Sequence, residues 1–160
     1  MNKIRAKKCV EDLLHHNFRY LYKETSLGLM DTHLTYKMDS NTHELQMTLK
    51  FEENYCDVLC FISPTVLTEA YYEETLKTVN AINAYVKSCG RFYIDDYMDI
   101  AYSLRTNYDV IDIMPEYFIK EIETAIQFYE DVFCILLDVS QGKKSFEESR
   151  DFIEKMWSRG

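Results

Sequence analysis

From about residue 28 to 51 the chain alternates apolar and polar side chains, with a turn cluster, "DSNT" (39–42), in the middle. Alternation at period two is a strand pattern, and Asp, Ser and Asn favour turns because their side chains bond nearby backbone. Strands over about 28–38 and 43–51 put Met30, Thr32, Leu34, Tyr36 and Met38 on one face, with Leu45, Met47, Leu49 and Phe51 as their partners. Closing the hairpin at Ser40-Asn41 sets Tyr36 against Leu45, Leu34 against Met47 and Met30 against Phe51. The same register sets Lys37 against Glu44 and Asp31 against Lys50 on the reverse face. A slip of one residue would send every apolar side chain to the wrong side. Apolar pairs and opposite charges that agree on one register therefore fix an antiparallel hairpin.

A second turn at Glu53-Asn54 leads into a third strand, about 55–62. Pairing Phe51 with Cys56 puts Cys56, Val58, Cys60 and Ile62 on the buried face. The other face then carries Tyr55, Leu59 and Phe61, which is too apolar to stand in water unaccompanied. Pro64 ends this strand. Around the meander the pattern changes to helical spacing. A first helix is expected over about 3–23, with Cys9, Val10, Leu13, Leu14, Phe18 and Leu21 as its stripe. A second, about 67–88, turns Leu76, Val79, Ile82 and Val86 inward and stops at Gly90. Strands at 91–95 and about 99–106 follow, joined by "DYM".

Pro115 suits the first turn of a long helix, about 116–140, striped by Phe118, Ile122, Ala125, Ile126, Tyr129, Val132, Phe133 and Leu136. Ser145 and Glu148 form a capping-box signature for a last helix to about 157. The order is α-β-β-β-α-β-β-α-α, an α+β layout with helices packed on a twisted antiparallel five-stranded sheet. Residues 1–160 read as a single domain: the length suits one core, hydrophobic content is 47%, and the 4 Gly and 2 Pro leave few loops.

The formal net charge of -9 makes nucleic acid an unsuitable partner, because phosphate binding needs a cationic face. The charge is uneven. Residues 1–23 hold six Lys/Arg against Glu11 and Asp12, a net of +4, which leaves -13 for the remainder. That pattern fits a basic helix face against an acidic body, or an anchor for a membrane surface or partner. No apolar run approaches a membrane span, and the basic start lacks the apolar core of a secretory signal. Five cysteines without scaffold spacing point to reduced thiols and a cytoplasmic location.

Few residues carry a chemical signature. Cys56 and Cys60 lie about 13 Å apart along a strand, too far to share a disulfide or a zinc ion, and read as core thiols. The four histidines do not converge: His15 and His16 diverge on a helix, and His33 faces Thr48 rather than His43. "DDYMD" (95–99) gathers carboxylates at a turn, where Asp bonds backbone more readily than it builds a cation site. No nucleophile motif or glycine-rich phosphate loop is present, so no catalytic residue, metal or cofactor is expected. The asparagine pair stands out. On a helical wheel with Leu76 at zero, Asn83 falls inside the apolar face and Asn80 at its edge. An unpaired buried amide costs about 1–3 kcal/mol, so Asn83 should have backbone partners and act as a structural brace, with ligand recognition the other reading.

The meander, "TVNAINAYVKSCGRFYID", "DIAYSLRTNYDV" and the long acidic helix together resemble the YbjN-like family of bacterial proteins read as sensory-transduction regulators. "GKKSFEES" resembles that family's closing turn, and the likeness spans about 3–150. It implies the fold of type III secretion chaperones, often paired as dimers, with no known catalytic residues. The richness in Tyr and Cys and the acidic 95–99 turn depart from the pattern, which leaves the partner open. The expectation is thus a non-enzymatic, chaperone-like binding or regulatory protein. Tyr55, Leu59 and Phe61 would meet a protein partner or a second copy in a homodimer, with Asn80 and Arg105 as further binding candidates. The rival is a small-ligand or enzymatic site between sheet and helices, near Asn80, Asn83 and Arg105.

Overall fold

A computed structural model describes residues 1–15, 20–23, 31–38, 42–86 and 88–158. It is an α+β fold built on an antiparallel sheet, in the order α1 (Lys3–His15), β1 (Tyr20–Lys23), β2 (Asp31–Lys37), β3 (Glu44–Phe51), β4 (Tyr55–Ser63), α2 (Tyr72–Tyr85), β5 (Arg91–Ile94), β6 (Ile100–Asn107), α3 (Tyr108–Ile113), α4 (Pro115–Ser140) and α5 (Phe146–Ser158). The strands lie side by side as β1-β2-β3-β4-β6-β5.

The hairpin register is the one its side chains dictate. Tyr36 pairs with Leu45, Leu34 with Met47, Lys37 with Glu44 and Asp31 with Lys50. Phe51 pairs with Cys56, and Cys56, Val58, Cys60 and Ile62 are all buried. Met30 and the Ser40-Asn41 turn lie outside the described residues, as do His16 and Phe18.

The five expected strands are joined by a sixth. Tyr20–Lys23, anticipated as the end of the first helix, pairs with β2 from Tyr20↔Tyr36 to Lys23↔His33. The helix is described over Lys3–His15, has given way to strand by Tyr20, and buries Ala6, Val10 and Leu14. A short helix, α3, lies between β6 and Pro115.

The core lies between the sheet's inner face and the helices. Glu11 of α1 accepts a hydrogen bond from the buried Thr32 hydroxyl of β2 at 2.6 Å and a Lys7 ammonium bond at 2.7 Å. Near the middle of α4, fully buried Tyr129 shares its single hydroxyl proton between the carbonyls of Cys60 (2.9 Å) and Ile100 (3.0 Å). That bond joins β4 to the first residue of β6, one position beyond their last ladder pair, Phe61↔Ala101. The expected stripe of α4 is buried along its length.

The end of α4 and the start of α5 follow their sequence signals. Gly142 has φ of 72°, and its N–H bonds Val139 while Lys143 N–H bonds Asp138 at 2.7 Å. That is the paired bonding of a Schellman cap, for which a glycine in the left-handed region is suited. In α5 the capping box closes: Glu148 N–H donates to Ser145 Oγ, and Ser145 N–H to Glu148 Oε2 at 2.8 Å.

α2 corrects two expectations. It ends at Tyr85, five residues before Gly90, so Gly90 is not its stop. Gly90 serves a different purpose: a Cβ there would overlap the Tyr102 ring, so the chain passes closer to the sheet than any side chain permits. The inward face is also rotated. Leu76 is exposed (42%), while Thr75, Thr78, Val79 and Ile82 are buried.

Candidate functional site

The sequence candidates fall on two opposite sides of the sheet. Asn83 and Asn80 belong to α2, on the helix side. Tyr55, Leu59, Phe61 and Arg105 belong to β4 and β6, on the outer side. The ladder brings the second group together and keeps the first apart from it.

Asn83 lies beside the edge strand β5. Its Nδ2 donates to the Phe92 carbonyl at 2.8 Å, and its Oδ1 accepts from the Phe92 N–H at 2.8 Å. Phe92 turns both backbone groups away from β6, and one amide side chain completes them as a neighbouring strand would. Asn80, one turn earlier, is exposed and makes no side-chain hydrogen bond among the described residues. The same corner holds the Tyr102 hydroxyl against Ser88 Oγ, which also accepts the Gly90 N–H at 3.2 Å. Burial, opposed by the Ser88 hydrogen bond, raises the Tyr102 pKa and keeps this phenol protonated.

On the outer side, strand pairing sets the residues in rows. Thr48, Leu59, Ser103 and Arg91 form one row across β3, β4, β6 and β5. Lys50, Asp57 and Arg105 form the next. Gln46, Phe61, Ala101 and Tyr93 lie on the other side of the first. Tyr55, Leu59 and Phe61 are half-buried, and Arg91, Tyr93, Ser103 and Arg105 are exposed. A shallow basin of about 590 Å³ opens here, floored by Leu59 and rimmed by Lys50, Arg91, Tyr93 and Arg105.

Arg105 forms the basin's fixed side. Its Nε and Nη2 hold both Asp57 oxygens at 2.7 and 2.8 Å, and its guanidinium lies 3.7 Å from the Tyr55 ring centroid. Hydrogen bonding to Asp57 raises its already high pKa, so the charge is permanent. Lys50 is drawn to Glu52 at 3.0 Å. Arg91 is held differently: Nη1 donates to the carbonyls of Ser88 (2.8 Å) and Gly90 (2.6 Å). Partial burial of its hydroxyl and the nearby Asp95, opposed by a hydrogen bond with Ser103, raise the Tyr93 pKa, so this phenol is neutral at physiological pH.

Other candidates resolve into local structure. Cys56 and Cys60 are buried free thiols, and burial pushes Cys60 up to about 12. His33 Nδ1 meets Thr48 Oγ1 at 3.1 Å. In the 95–99 turn, Asp95 Oδ1 accepts the N–H groups of Tyr97 and Asp99, both at 2.9 Å. Among the described residues no group of His, Cys, Asp and Glu is arranged to hold a metal, and no helix is long and apolar enough to cross a membrane.

Of the residues expected from the sequence, Leu59 and Arg105 line the basin, while Tyr55 and Phe61 share the face without lining it; Lys50, Arg91 and Tyr93 were missed. Lys50 was within reach, because the Phe51–Cys56 register already placed it beside Asp57. Arg91 and Tyr93 depend on the β4–β6–β5 pairing, which a whole helix separates from the meander. Comparisons of the chain with protein-family models, curated proteins and solved structures find no match.

Proposed function

We propose that this protein is a non-catalytic, chaperone-like or regulatory binder, YbjN-like in kind, that engages a protein segment through the outer face of its sheet. One observation carries the reading: half-buried Leu59 lies in an open basin on the face opposite the helices, with half-buried Phe61 and Tyr55 further along the same face of β4. Apolar burial contributes about 25 cal/mol per Å² before the costs of association, so a partner covering this face would gain from it. The interior offers a small ligand less. Among the described residues every buried side-chain nitrogen and oxygen has a hydrogen-bond partner, so no polar group there awaits a substrate. The inward amide of Asn83 is occupied by Phe92. A cytoplasmic location with reduced thiols belongs to the same reading, and a second copy of the chain is one form the partner can take.

A pull-down from native lysate tests it, with the wild type beside the Leu59→Asp/Phe61→Asp variant and circular dichroism as the folding control. The wild type should retain a partner that the folded variant loses. Identical catches from the two would sink the proposal.

A further inference from the structure

The chemistry of the basin points to its occupant. It rests on the docking face just proposed, and it deepens that reading by naming the kind of segment that binds.

The protein carries a net charge of -9, yet the basin lining holds Lys50, Arg91 and Arg105 against one acid, Asp57. Asp57 is fully engaged by Arg105, and Lys50 leans on Glu52. Arg91 has no carboxylate partner among the described residues. Both of its hydrogen bonds come from Nη1, to Ser88 and Gly90. They anchor the guanidinium and leave its Nε–Nη2 edge open. Arg105, one row away, uses that same edge to grip Asp57 in a two-point bond. A guanidinium presents this fork in a fixed plane that matches a carboxylate, and such charge-assisted pairs are the stronger hydrogen bonds.

The geometry points to an acidic peptide segment as the ligand, with one carboxylate on the Nε–Nη2 edge of Arg91 and an apolar side chain over Leu59. Leu59 and Arg91 occupy one row, two strands apart, because Leu59 pairs with Ser103 and Ser103 with Arg91. Two strand spacings are about 10 Å, which a peptide in the polyproline II conformation crosses in about three residues, one full turn, so that its first and fourth side chains face the same side. The segment therefore carries its acidic and apolar side chains about that far apart. It lies on the face of the sheet rather than extending it, because Asn83 already completes Phe92 at the β5 edge. A two-fold pairing of the chain would turn the same patch on itself and set cation against cation, so a separate acidic segment fits better than a second copy.

Fluorescence anisotropy with a labelled Leu-Gly-Ser-Glu peptide in a Gly-Ser frame tests this, beside the matched peptide with Gln for Glu. The wild type should prefer the Glu peptide, and raised salt should erase the preference. Arg91→Gln should reduce affinity for the Glu peptide by about tenfold or more and leave the Gln peptide unchanged. Leu59→Asp should weaken both. Equal binding of the two peptides, no binding of the Glu peptide, or an Arg91→Gln variant that still prefers Glu would overturn the acidic ligand. So would equally effective displacement by inorganic phosphate or phosphatidylserine vesicles. If Leu59→Asp loses the lysate partner while Arg91→Gln keeps it, the docking face stands and the acidic segment falls.

Discussion

Asn83 shows how a single side chain can finish a sheet. An edge strand presents unpaired N–H and C=O groups, and proteins must cover or pair them. Here the amide supplies donor and acceptor to Phe92 at 2.8 Å each. Removing it leaves both backbone groups without their partner. Asn83→Ala should therefore lower the unfolding free energy by about 1–3 kcal/mol, read from chemical denaturation; an unchanged midpoint would rule out the brace. The inward amide was legible in the sequence, but the wheel that found it was anchored on the wrong residue. Leu76 points outward because Thr75 and Thr78 take the buried positions. Their hydroxyls bond the carbonyls of Tyr71 and Glu74 in the preceding turn, at 2.8 and 2.9 Å. A threonine satisfied by its own helix can be buried, although its polarity reads as solvent-facing.

At the scale of elements, pairing that spans a short turn could be read and pairing that spans a long connection could not. The β2–β3–β4 meander follows from alternation and charge, since each strand meets the next in sequence. β1 escaped because four residues, Tyr20–Lys23, are too few to display a period, and Leu21 also continues the helical spacing of α1. The contact between α1 and the meander has its own signature. Burial of Glu11 would raise its pKa, but hydrogen bonds from the Lys7 ammonium and the Thr32 hydroxyl outweigh that and lower it. A carboxyl whose pKa is lower folded than unfolded stabilises the fold above its unfolded pKa and loses that contribution as pH falls through the folded value. Glu11→Gln should thus cost about 1 kcal/mol at neutral pH, part of the value being screened at this half-buried site. The gap between variant and wild type should close as acid protonates the native carboxyl. Urea melts across the acidic range measure it, and a gap that persists below the folded pKa would contradict the assignment.

At the scale of the whole molecule, the two faces of the sheet differ in kind. Helices cover one side of the sheet, where Tyr129, Tyr102 and the meander's apolar rows form one continuous core. The other side keeps Leu59 in an open basin with its cations around it. Polar side chains inside the core are spent on the protein itself, while Arg91 keeps a free fork outside. This division was half visible in the sequence. Tyr55, Leu59 and Phe61 announced a second apolar face, but its cationic rim is assembled from three strands and appears only once β6 and β5 join β4. The central claim is that partners meet the molecule on this face. Photo-crosslinking tests it most directly, with benzoylphenylalanine placed at Leu59 in one variant and at exposed Asn80 on the helix side in another. The account predicts a partner adduct from position 59 and none from position 80; adducts from position 80 alone, or the same adducts from both, would contradict it.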